Sequence, residues 1–139
     1  MLDHIILSVG DLARSVAFYE RALAPLGIVH YVDYDGEDGH PDLKGFGRDK
    51  RAFLWLKSGE PSAAAVHFGF VAESRATVDA FYEAAMAAGA RDNISPRIRH
   101  EYDPDYYAAD VLDPDGYSVE VVIKTPEISS SEEAETPSA

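Results

Sequence analysis

One segment of this chain is written twice. Placing His67 over His4, an offset of 63 residues, carries Ala80-Phe81-Tyr82-Glu83 onto Ala17-Phe18-Tyr19-Glu20 without a gap. The same offset lays Ser74 on Asp11, two residues suited to cap a helix, and Ala85 and Ala87 on Ala22 and Ala24. After a slip of one residue, Gly89 answers Gly27 as a helix-ending glycine. A duplicated strand-helix unit, with a histidine in each strand, restricts the fold to two equivalent half-modules.

Each copy continues in the same way. Leu2 to Val9 reads as a buried strand, and Asp11 caps a helix reaching about Leu26 whose inward stripe is Leu12, Ser15, Phe18, Tyr19, Ala22 and Leu23. Strands are predicted at Ile28 to Tyr34, Leu43 to Arg48 and Arg51 to Lys57. In the second copy they are predicted at Ala64 to Val71, Arg97 to Tyr102, Tyr106 to Leu112 and Tyr117 to Lys124, with a helix from Arg75 to Ala88. Val78, Phe81, Tyr82, Ala85 and Met86 face inward on that helix, and Asp113-Pro114-Asp115-Gly116 is a turn. The expected skeleton is α+β: two βαβββ modules, 1–58 and 64–124, forming one domain with a cupped mixed sheet. Two helices cannot cover both faces of eight strands, so one face is free for a ligand. Residues 125–139 read as an acidic, flexible tail.

Charge and composition exclude several partners. The formal charge is −13, of which Glu127, Glu132, Glu133 and Glu135 supply four units, leaving −9 on the body. Such a surface repels phosphate backbones and anionic lipid, so neither nucleic acid nor a membrane is an expected partner. Without cysteine there is no thiolate chemistry. No stretch reads as a signal peptide or a membrane span, and the cytoplasm is the expected compartment. The segment Asp33 to Asp38 suggests calcium, but it lacks the Glu and flanking helices of an EF-hand.

The histidines carry the functional reading. If equivalent strands meet about a pseudo-two-fold axis, His4 and His67 can converge, and Glu120, alone among valines in the last strand, can join them. Two imidazoles and a carboxylate would bind a divalent transition metal with open positions. The same residues admit a plainer reading, as hydrogen-bonded core histidines and a solvent-facing acid. His30, His40 and His100 have no repeat partner and are read as non-ligands.

The repeat, its paired histidines and the closing DPDGYSVEVV together resemble the vicinal oxygen chelate superfamily of glyoxalase I, bleomycin-resistance proteins, extradiol dioxygenases, fosfomycin-resistance proteins and methylmalonyl-CoA epimerase. The resemblance spans residues 1 to about 124. It implies a divalent ion (Fe, Mn, Zn, Ni or Co) chelating vicinal oxygens of a small substrate, in a lyase, isomerase or dioxygenase-like reaction. The glyoxalase I pattern of four ligands falls on His4, Trp55, His67 and Glu120. Because indole neither ligates nor takes a proton, Trp55 speaks against a typical glyoxalase I. What is left, His4, His67 and Glu120, resembles the two-His-one-carboxylate set of extradiol dioxygenases. Asp110 then stands where that group has a tyrosine, and either serves with Glu120 as a catalytic carboxylate or is a plain surface acid.

Candidate substrate contacts are Phe53 and Trp55, expected on one face of the fourth strand, Arg99 with Arg97, and one of Tyr106 and Tyr107. The alternative is a metal-free, drug-sequestering binding protein. Self-association as a homodimer is a further expectation, with modules pairing within or between chains.

Overall fold

The computed structural model describes residues 1–126. The acidic segment expected to be a flexible tail lies outside them from residue 127 onward. The first module runs β1 (Ile5–Val9), α1 (Leu12–Ala22), a 3₁₀ turn (Ala24–Leu26), β2 (Val29–Tyr34), β3 (Leu43–Arg48) and β4 (Arg51–Ser58). The second runs from a 3₁₀ turn (Ala63–Ala65) to β5 (His67–Val71), α2 (Arg75–Ala87), β6 (Arg91–Ile98), β7 (Tyr107–Leu112) and β8 (Ser118–Ile123).

Local chemistry sets both helix starts. Asp11 Oδ1 accepts from the Arg14 amide at 3.1 Å, and Ser74 Oγ from the Thr77 amide at 3.1 Å, each satisfying an amide left without an intrahelical partner. Gly27 and Gly89 follow the helical segments at φ 73° and 106°, where a side chain would be strained.

Each module makes a four-stranded sheet of the same topology, β1-β4-β3-β2 and β5-β8-β7-β6. The β1/β4 and β5/β8 pairs are parallel and the others antiparallel. One face of each sheet packs on the helices. Leu7, Val9, Phe46, Leu54 and Leu56 meet Phe18, Tyr19 and Ala22, while Val111, Val119 and Val121 meet Val78, Phe81 and Ala85, all in one continuous core. Phe81 is fully buried there, and its truncation to Ala is worth about 3–5 kcal/mol.

The modules lock together at the turn between β7 and β8. Tyr19 Oη donates to Asp113 Oδ2 at 2.5 Å, and Tyr117 Oη donates to the Ser8 carbonyl at 2.7 Å. Asp115 Oδ1 accepts from the Gly10 amide and from Arg14 Nη2, both at 3.2 Å. At the pseudo-equivalent junction, the Arg48 guanidinium reaches an exposed Glu73 at 3.5 Å, and within its own module the Leu26 carbonyl at 3.0 Å and Asp49 at 3.5 Å.

Three expectations are corrected in detail. β1 begins at Ile5, so His4 precedes the ladder, and Ala64–Val66 is largely a 3₁₀ turn rather than strand. β6 occupies Arg91–Ile98 and not residues 97–102. Pro96 disguised this strand: it lies at a sheet edge, where a missing amide donor is tolerated, and the β6/β7 register shifts on either side of Ile94.

Candidate metal centre

Register brings the chemistry together in the second sheet. His67 pairs with Ser118, Gly69 with Glu120, and Asp110 with Glu120. Side chains alternate along a strand, so Ser118 and Glu120 share the face opposite Val119 and Val121, which enter the core. His67, Asp110 and Glu120 each offer a ligand atom, and these atoms lie within 4.8 Å of one another.

The two carboxylates are almost wholly buried, Asp110 at 5% and Glu120 at 7% exposure. Two adjacent buried carboxylates are costly unless a cation or hydrogen bonds compensate them. His67 stands between them, with Nε2 3.2 Å from Glu120 Oε1 and Nδ1 3.6 Å from Asp110 Oδ2. Ser118 Oγ lies 2.7 Å from His67 Nδ1 and donates to Asp110 Oδ1 at 2.8 Å. Tyr106 donates its hydroxyl to Glu120 Oε2. Burial, reinforced by that bond, pushes the Tyr106 phenol well above its ordinary range, so it remains a donor at neutral pH. An imidazole with two carboxylates is a nitrogen-and-oxygen donor set of the kind that suits a divalent transition metal.

His4 is not in this group. β1 and β5 run in opposite senses: His4 shares a cavity of about 300 Å³ with Gly69, Phe70 and Val71, while at the other end Ser8 contacts Tyr117, next to the Ser118 that pairs with His67. From Val71 back to His67 is roughly 13 Å at the usual strand rise of about 3.3 Å. The repeat is as expected, but antiparallel placement separates the two imidazoles within one chain, and His4 Nδ1 bonds instead to its neighbour Asp3 at 2.7 Å.

The corresponding place in the first sheet is apolar. Trp55 pairs with Ile6 and Gly45 as Glu120 pairs with Gly69 and Asp110. A Cβ at Gly45 would lie 2.7–3.0 Å from three indole carbons, so only glycine lets the indole lie flat on β3. Beside it opens a cavity of about 390 Å³, lined by His4, Tyr34, His40 and Trp55 among others. This larger cavity does not open on the carboxylate pair.

Phe53 leaves the Trp55 face. Phe46 pairs with Leu54 and Gly47 with Ala52, so Phe53 is the extra residue of a bulge, and the alternation that put it beside Trp55 is broken. Ala52 lines the Trp55 cavity in its place, while Phe53 turns to Phe70, their ring centroids 6.2 Å apart. Tyr106 and Tyr107 take opposite faces as expected: Tyr106 joins Glu120, and Tyr107 donates to Asp79 of α2 at 2.6 Å. Arg99 lies beyond β6, with Nε 2.5 Å from Glu101 Oε1 and its guanidinium 5.1 Å from the Tyr102 ring centre. Ser118 went unnoticed in the sequence. Its signal is positional, two residues before Glu120 on the same face.

The sequence model of the Glyoxalase/Bleomycin resistance protein/Dioxygenase superfamily matches residues 1–121. Among proteins of curated function none matches the chain significantly. Among solved structures, a glyoxalase/bleomycin resistance protein from Albidiferax ferrireducens T118 is 26% identical, covering 88% of this chain and 97% of its own, at a TM-score of 0.70. A glyoxalase I mutant from Zea mays is 18% identical, with 91% of this chain and 46% of its own covered, at 0.67. A mutant of the fosfomycin resistance protein FosX from Listeria monocytogenes, complexed with Mn(II) and 1S,2S-dihydroxypropylphosphonic acid, is 20% identical over 90% of each chain, at 0.66.

Proposed function

The chain belongs to the Glyoxalase/Bleomycin resistance protein/Dioxygenase superfamily, and from that premise we propose that it is a divalent-metal-dependent enzyme acting on a small oxygenated organic substrate. His67 Nε2 and Glu120 Oε1 would hold the ion, with Asp110 supplying the second negative charge beside it. The observation that carries this reading is the buried carboxylate pair flanking one imidazole. A divalent ion would relieve the repulsion within that pair, and when bound it would supply a Lewis acid that polarises adjacent oxygens. The FosX relative, of the same fold, is complexed with Mn(II) and a vicinal dihydroxy compound, the kind of ion and substrate proposed here. The reaction class is read as lyase, isomerase or dioxygenase-like. A typical glyoxalase I is disfavoured, since Trp55 provides no proton-moving group on the first sheet.

The chain's own residues have definable tasks. Tyr106 occupies Glu120 Oε2, leaving Oε1 as the oxygen turned to His67. Trp55 offers a flat apolar surface for substrate. Elemental analysis of protein purified without chelator tests the proposal: about one ion per chain is expected, and His67→Ala abolishes it. A native protein that takes up no divalent ion would overturn the metal reading.

A second reading, a binding protein without catalysis, draws on the cavity at Trp55, which lies apart from the carboxylates. It predicts a metal-free protein whose tryptophan fluorescence responds to aromatic ligands. Retention of that response after His67→Ala would favour it.

A further inference from the structure

The hydrogen-bond geometry behind His67 points to a second task for the carboxylate pair. We propose that Ser118 and Asp110 are positioning residues which set the tautomer of His67, so that Nε2 presents a lone pair toward Glu120. The inference rests on the metal reading for its purpose, although not for its geometry.

The argument is a count of protons. Ser118 has one hydroxyl proton and two neighbours, Asp110 Oδ1 at 2.8 Å and His67 Nδ1 at 2.7 Å. An ionised carboxylate only accepts, so the hydroxyl proton goes to Asp110. Ser118 Oγ can then only accept from the ring, which places the proton of a neutral imidazole on Nδ1. Nε2 is left with its lone pair 3.2 Å from Glu120 Oε1, and the other Glu120 oxygen already accepts from Tyr106. Two acceptors that converge without a proton between them form a site ready for a cation. The opposite tautomer would place N–H on Nε2, satisfy Glu120 directly and close the same position.

Burial makes this arrangement directional. Asp110 is 5% exposed, so water does not compete well for its oxygens, and Ser118 lies opposite His67 in the β5/β8 register. A ligating histidine whose other nitrogen is held by a carboxylate is a general feature of metal sites, and loss of the outer partner costs about 10–100-fold in metal affinity. Here a serine hydroxyl is interposed between ring and carboxylate. Asp110 accordingly acts through His67, with Oδ1 committed to Ser118, rather than as a free base.

The test uses ¹⁵N NMR of the full chain, metal-free, at a pH where the His67 ring is neutral. The wild type is expected to show a protonated Nδ1 and an unprotonated Nε2, Ser118→Ala the reverse pattern, and Ser118→Thr, which keeps the hydroxyl, the wild-type pattern. Calorimetric titration with Mn(II) or Zn(II) should then show about 10–100-fold weaker binding for Ser118→Ala and near-wild-type binding for Ser118→Thr. A wild-type ring protonated on Nε2, or a tautomer unchanged in Ser118→Ala, overturns the relay. Failure of the wild type to bind either ion, with the tautomer pattern as expected, overturns the metal reading and leaves the relay standing.

Discussion

The two modules share a topology and differ at the point where chemistry would occur. In the second sheet the central positions of β7 and β8 hold Asp110 and Glu120; in the first, the matching positions of β3 and β4 hold Gly45 and Trp55. A duplicated scaffold has thus made one polar donor cluster and one aromatic shelf. The lesson is that repeat symmetry transfers backbone geometry, because helix caps and strand pairing are local, but does not transfer function. Function depends on which two side chains face each other across one ladder step.

The sharpest way to break the comparison is to remove each side in turn. Glu120→Gln is expected to weaken metal binding by more than about 100-fold, beyond the range typical of an outer partner, while Trp55→Ala leaves metal stoichiometry unaltered. Equal loss in both variants by elemental analysis would show that the shelf belongs to the metal site.

The glycines offer a second contrast. Gly45→Ala drives a methyl group into the Trp55 indole and should cost about 1–3 kcal/mol in urea unfolding. In Gly69→Ala the new Cβ meets Glu120 Cβ at an ordinary 3.5 Å, so stability should change little. If both variants lose stability alike, the flat packing of the indole is not what requires glycine on β3.

The junctions between modules differ in the same sense. Tyr19→Phe leaves Asp113, at 1% exposure, without the phenol hydroxyl and should cost about 1–3 kcal/mol. Glu73→Gln at the opposite junction removes an exposed pair and should cost at most about 1 kcal/mol. Comparable losses would argue against a one-sided lock.

The smallest effect is on the pH profile. Burial raises the Asp113 carboxyl above its unfolded value, against the pull of its hydrogen bonds from Tyr19 and two amides. A raised acid takes up its proton in the folded state first, so its contribution becomes more favourable as pH falls from neutral toward the ordinary carboxylate range. Asp33, lowered by its bond to His30, acts with the opposite sign, and its contribution is lost as pH falls through its depressed value. Asp113→Asn should therefore steepen the loss of stability on acidification. An unchanged slope in urea titrations would exclude Asp113 from the linkage.

Much of this was legible in the residues themselves. The offset that matched Ala80-Phe81-Tyr82-Glu83 to Ala17-Phe18-Tyr19-Glu20 was enough to draw both helices, their caps and most of the strands, since caps, periodicity and turns are interactions over a few residues. The same repeat drew notice to His67, and Glu120 stood out as the lone acid among valines, whereas Asp110 was singled out only through the resemblance to the superfamily. Tertiary structure alone decided how the sheets lie against each other: Tyr19 with Asp113 and Ser8 with Tyr117 are contacts between residues 94 and 109 positions apart. Those contacts run β1 and β5 in opposite senses, which takes His4 away from His67, while a single bulged residue turns Phe53 from the Trp55 face. The first outcome leaves no trace in local pattern, because the free energy that selects it arises from surfaces that meet only after each module has folded; the second is an irregularity of the β3/β4 pairing that alternation along a single strand does not show.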